Sequence, residues 1–197
     1  MKLSVSDSAP GLDSRSRELR ALIVRALIGG NRGHLGSSMS LVEILRVLFD
    51  DFLRFKPGEP AWRGRDRFIL SKGHAGILLY VVLNYLKIIT NTQLKNYCKK
   101  KGSLGVHPDY KTPGVEASTG SLGHGLSIAA GLAYPDKKKT LYVLMSDGEM
   151  HEGSIWEAAL LISSKKINNI IVIVDYNGLQ SSTWAKEAAT NHNHPYK

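Results

Sequence analysis

An α/β fold, a parallel sheet flanked by helices, is predicted by three features of the sequence. Arg67–Ser71 (RFILS) is a short apolar run that passes at once into a second, longer apolar segment. Thr140–Met145 is strand-like and is followed by a helix-like stretch, and Ile170–Val174 is almost purely β-branched. Strand, helix and strand in that order make a βαβ unit with parallel strands.

From the amino terminus, Arg17–Gly30 places Leu19, Leu22, Ile23, Ala26 and Leu27 on one stripe, the pattern of an amphipathic helix stopped by Gly29 and Gly30. Ser40 and Glu43 have capping-box spacing before Leu41, Ile44, Leu45, Leu48, Phe49 and Phe52, so a second helix is expected to open at Ser40. The two helices flank a glycine-rich loop containing His34. Arg67–Ser71 reads as a buried strand leading through Lys72-Gly73-His74 into a helix over Ile77–Leu86. Gly102–Gly125 is too punctuated by glycine and proline for regular structure, and too long for an ordinary connection, which marks a functional loop. After the strand at Thr140–Met145, Ser154 and Glu157 form another capping-box pair opening a helix to Lys165, and Ile170–Val174 closes the unit. No internal repeat or low-complexity block interrupts this order.

The chain has 197 residues, 43% hydrophobic and 22% charged, enough for one sizeable core. No apolar run reaches the roughly 20 residues of a membrane helix, and the first residues are polar rather than signal-like, so a cytoplasmic protein is expected. With Cys98 as the single cysteine, neither an internal disulfide nor a thiolate zinc site is available, and Cys98 reads as a bystander. The net charge of +9 is spread over separate clusters and no nucleic-acid motif accompanies it, which argues against nucleic-acid binding. Phosphorylated ligands, or a partner chain of opposite charge, would use the same field.

In a right-handed βαβ crossover the carboxyl ends of both strands lie on one sheet edge, where ligands bind. Ser146-Asp147-Gly148 and Asp175-Tyr176-Asn177 are thereby brought together. A carboxylate and an amide oxygen are hard ligands suited to magnesium or calcium, and the loop from Gly148 to Gly153 can bring backbone amides to phosphates. Taken singly, Asp147 is more simply a turn cap and Asn177 a left-handed residue before Gly178, and only their combination with other motifs favours a metal site.

Four ordered segments carry a resemblance. SDGEMHEGSIWEAALLISSKKINNIIVIVDYN is similar to the thiamine diphosphate motif of transketolases, which opens Gly-Asp-Gly and closes on Asn. NRGHLGSSMSLVEIL resembles the family's first histidine loop and DRFILSKGHAGILLY its second. GSLGVHPDYKTPGVEASTGSLGHGLSIAAGLA resembles its third histidine and glycine loop. The likeness runs from Arg15 to Gln180. It divides the chain into a polar extension (1–13), a thiamine diphosphate-binding domain (14–180) and a divergent tail (181–197).

The resemblance implies that Asp147, the Asn177 side chain and the Leu179 carbonyl bind Mg2+ or Ca2+. It places Gly148 on the diphosphate and Gly120 and Leu122 on the cofactor rings. His34, His74 and His107 fall on the family's active-site histidines, His74 also against the cofactor, and Glu152 on an acid linking cofactor sites across the dimer. Imidazoles suit such chemistry, because cleaving a ketose beside its carbonyl moves protons to and from sugar hydroxyls near neutral pH. Two positions depart from the family: Ser146 replaces a usual glycine, and His124 stands where glutamine is frequent. The glutamate that activates the cofactor belongs to a pyrimidine-binding domain absent from this chain, and the diphosphate domain itself reads as shortened at its C-terminus.

The expectation is therefore the N-terminal subunit of a split transketolase, transferring a two-carbon ketol unit between sugar phosphates. It would work with a C-terminal pyrimidine-domain partner, as a dimer or heterotetramer. The alternatives are a truncated, non-catalytic scaffold or regulatory module, and a subunit of another thiamine enzyme, deoxyxylulose-phosphate synthase-like or 2-oxo-acid decarboxylating. A Rossmann dehydrogenase is set aside, since Gly120–Gly125 has the spacing G-x-x-G-x-G and lacks a clear preceding strand.

Overall fold

Alternation along the strands decides the layering. In the computed structural model, which describes residues 11–56, 58–180 and 183–185, three parallel strands stand in the order β1 (Arg67–Leu70), β2 (Leu141–Ser146), β3 (Ile170–Asp175). Phe68, Leu70, Tyr142 and Leu144 face one side, and Ile69, Leu141, Val143 and Met145 the other. Each face buries a separate cluster, so the central strand β2 is buried throughout its six residues. Most of the expected extension (1–10) and most of the expected tail (181–182 and 186–197) lie outside the described residues.

The first face is covered by α1 (Ser14–Gly30), α3 (Val42–Val47) and α4 (Gly76–Tyr85), through Leu19, Ile23, Val42, Leu45 and the wholly buried run Ile77–Leu83. Asp13 caps α1 by accepting from the Ser16 amide at 2.8 Å, and Asn31 ends it in a left-handed conformation. The second face is covered by α6 (His124–Ala133) and α7 (Gly153–Ser164), through Leu126, Ala129, Ala130, Ile155 and Ala158. Between them, α7 connects β2 to β3 as the expected βαβ unit.

Several elements differ from the sequence reading. Ser40 does not cap a helix. It follows a short helix, α2 (Leu35–Met39), and α3 starts after Leu41 with no side-chain cap. Glu43 instead forms a two-bond pair with Arg20 of α1, at 2.6 and 2.8 Å. Ser154 is likewise inside α7, whose N-cap is Glu152, again without a side-chain cap bond. The capping-box pattern does mark a helix at Thr90 and Gln93, where both bonds form ahead of α5 (Asn91–Lys95). Helix α6, missed because Gly125 and Gly131 continue the glycine-rich composition of the loop before it, begins within the segment read as irregular.

Candidate cofactor and metal site

Because the strands are parallel and in register, Ser146 standing opposite Asp175, the segments following β1, β2 and β3 emerge on one edge. The Asp147 side chain ties two of them together. Its Oδ1 accepts from the Gly148 amide at 2.9 Å and its Oδ2 from the Gly178 amide at 2.7 Å. Asn177 Oδ1 accepts from the Leu179 amide at 2.8 Å, just before the small hairpin of β4 (Leu179–Gln180) and β5 (Thr183–Trp184). Asp147 thus does cap its own turn, but the left-handed residue is Gly178 (φ 73°) rather than Asn177.

These donors suit a hard cation. Asp147 is buried, and each of its oxygens spends one lone pair on an amide and keeps another. Among the described residues no group of three or more His, Cys, Asp or Glu forms a metal cage. A cation here would complete its shell with carbonyls, water and ligand phosphate oxygens, as magnesium does at diphosphates. A Cβ on Gly148 would stand 3.0 Å from the Gln180 side chain, and Gln180 Oε1 lies 3.0 Å from His151 Nδ1. The bare backbone at Gly148 thus has a polar cover that sequence reasoning did not find. Ser146, the departure from the family glycine, sits in β2 outside the positive-φ region, so its side chain costs no strain.

The three histidine loops converge. His34 and His74 make an edge contact, ring centroids 5.5 Å apart, and His107 is near enough to act electrostatically on His74. Burial, reinforced by Lys72, His34 and His107, lowers the His74 pKa to about 4, so this imidazole is neutral at physiological pH. His107 packs over Gly120, where a Cβ would fall 2.8 Å from the ring, and Tyr80 Oη donates to the His107 carbonyl at 2.7 Å. His107, Gly120 and His124 line a cavity of about 460 Å3 that Asp147 and Asn177 do not line. Leu122 is half-buried beside Gly120, whereas the Glu152 side chain is exposed at the start of α7.

Two buried polar groups escaped the sequence reading. Lys72 Nζ donates to Asp175 Oδ2 at 2.8 Å, the same oxygen accepting from Ser40 Oγ at 2.7 Å and Asn177 Nδ2 at 3.0 Å. Glu149, fully buried, bonds Ser71 and Gly123. The available signal was a charged residue just after or closing a strand-like apolar run, as at Lys72 and Asp175, since such a group is kept out of water only when paired.

Parallel strands with helices on both faces, and loops meeting at their carboxyl ends beside a hard-oxygen turn, define the class of open α/β proteins that take ligands at that sheet edge. Residues 13–194 match the family described as "Transketolase, thiamine diphosphate binding domain", and the chain belongs to that family. It is 38% identical over 181 residues to an apulose-4-phosphate transketolase subunit of Phocaeicola vulgatus, covering 89% of this chain and 64% of that protein. To "6-deoxy-6-sulfo-D-fructose transketolase subunit SqwG" of Clostridium sp. it is 34% identical over 189 residues, 93% of this chain and 68% of the other. The transketolase crystal structure from Campylobacter jejuni superposes with a TM-score of 0.81 at 33% identity, over 91% of this chain and 30% of that one. Among the described residues, no helix is long and apolar enough to cross a membrane.

Proposed function

We propose that the chain is the thiamine diphosphate- and Mg2+-binding subunit of a transketolase-like enzyme, working in the cytoplasm with a separate pyrimidine-domain subunit. The observation that carries this reading is the Asp147 carboxylate bridging the turns after β2 and β3, within a family whose members bind this cofactor. Asp147, Asn177 and the Leu179 carbonyl hold the metal, and Gly148 admits the diphosphate. Gly120 and Leu122 flank the rings, with domain limits of 14–180. The cofactor supplies the electron sink for carbon–carbon cleavage next to a carbonyl. His74, kept neutral, offers a nitrogen to the cofactor side. His34 and His107 hold and move protons at sugar hydroxyls. Glu152, exposed at the start of α7, is free to meet a second subunit.

Relatives named as transketolase subunits support the partner requirement. Purified chain, Mg2+, cofactor and a ketose phosphate donor with an aldose phosphate acceptor should give no turnover. Adding the cognate pyrimidine-domain subunit should give ketol transfer, general acid–base assistance of this kind being worth about 10² to 10⁴ in rate. Turnover by the chain alone contradicts the split arrangement. Silence with the cognate partner supports the scaffold reading, and turnover of pyruvate instead of ketose supports the other thiamine enzymes.

A further inference from the structure

A carboxyl group in a protein interior is costly unless its oxygens find donors. Glu149 is fully buried in the turn after β2, where its Oε1 accepts from Ser71 Oγ at 2.6 Å and from the Gly123 amide at 2.9 Å. Its own amide donates to Ser146 Oγ at 3.1 Å. One residue therefore touches the segment after β1, the end of β2 and the glycine loop before α6. Its second oxygen is buried with no hydrogen-bond partner among the described residues, so Oε1 alone makes both side-chain bonds.

The glycine loop has little freedom to move without this latch being felt. Gly123 has φ 85°, and a Cβ there would fall 2.3 Å from Ser154 Oγ and 2.7 Å from Glu152 Cβ. A Cβ on Gly125 would fall 2.2 Å from Ser71 Oγ. The backbone from Gly120 to Gly125 is thus pressed between Ser71 and the start of α7, with its inward amide at Gly123 fixed by Glu149. We infer that Glu149 is a positioning residue: its acceptor oxygen joins Gly123 to Ser71. It thereby sets the separation between the loop carrying Gly120 and Leu122 and the turn carrying Asp147 and Gly148. Burial raises its carboxyl above the ordinary range against the opposing pull of Ser71 and Gly123, yet either protonation state keeps an acceptor, so the latch does not depend on charge. The link to the cofactor rests on the binding function proposed above.

The test compares Glu149→Gln, which keeps an acceptor oxygen, with Glu149→Leu, which removes it. Calorimetry with thiamine diphosphate and Mg2+ should find Glu149→Gln within about threefold of the parent and Glu149→Leu weaker by on the order of tenfold to a hundredfold. Hydrogen exchange of the ligand-free proteins should show faster exchange in the peptide over residues 118–125 for Glu149→Leu and not for Glu149→Gln. Equal affinity of Glu149→Leu and parent overturns the inference, as does an equal loss in both variants. If Glu149→Leu does not fold, Ser71→Ala, which removes one of the two donors, should weaken binding about threefold, and an unchanged affinity overturns the inference. If the parent binds no cofactor, the functional reading fails while the exchange rates still decide the latch: faster in Glu149→Leu alone supports it, unchanged refutes it.

Discussion

His74 is an imidazole surrounded by Lys72, His34 and His107 and partly withdrawn from water, and its proton affinity reflects all of these. Unfolded, it takes a proton near pH 6.5. Folded, it does so only at about pH 4. Between those values the unfolded chain binds more protons, so stability is expected to fall as pH drops through that window and to be untouched by this group above it. Denaturation midpoints from pH 4 to 8 should show this slope in the parent and a shallower one in His74→Gln. His107 is exposed, and its structural bond is the one its backbone carbonyl accepts from Tyr80 Oη. His107→Ala should therefore change stability by no more than about 0.5 kcal/mol while lowering turnover of the reconstituted enzyme. A large loss of stability with normal turnover would reverse that assignment.

A buried ion pair joins the ends of the two outer strands. Lys72, 2% exposed, follows β1, and Asp175, 7% exposed at its side chain, ends β3. Their pair reaches across the end of β2. Removing one partner leaves the other charged and dry, so Lys72→Met should cost about 3–5 kcal/mol, whereas Lys72→Met with Asp175→Leu should cost less. Urea denaturation of the two variants checks the order. The helix starts show how local pattern and tertiary contact compete. Ser-x-x-Glu at Ser40 resembles Thr-x-x-Gln at Thr90, yet only Thr90 caps, because Ser40 Oγ is drawn to Asp175 and Glu43 to Arg20. A three-residue spacing does not carry that information.

Across the whole molecule, cofactor and metal binding to the folded state alone must raise its stability by mass action. At a hundredfold excess over Kd, this amounts to about 2.7 kcal/mol, a rise in melting temperature of roughly 5–10 °C for a chain of this size. Chelation should abolish the rise, and Asp147→Ala should lose it from a ligand-free midpoint that is itself lower, because the Gly148 and Gly178 amides lose their acceptor. An undiminished rise in Asp147→Ala would remove Asp147 from the metal site. The three strands, the βαβ crossover and the meeting of Asp147 with the turn at Asn177 were legible in the sequence. Short apolar and β-branched runs are local signals, and parallel pairing dictates which ends coincide. Likewise the histidine loops were visible as motifs flanked by recognisable elements. What only the tertiary structure decided was the pairing of Lys72 with Asp175, the latch from Glu149 to Gly123, and the low proton affinity of His74. Each depends on groups distant in the chain, 26 residues apart for the latch and 103 for the ion pair, and on a dryness that no spacing along the sequence records.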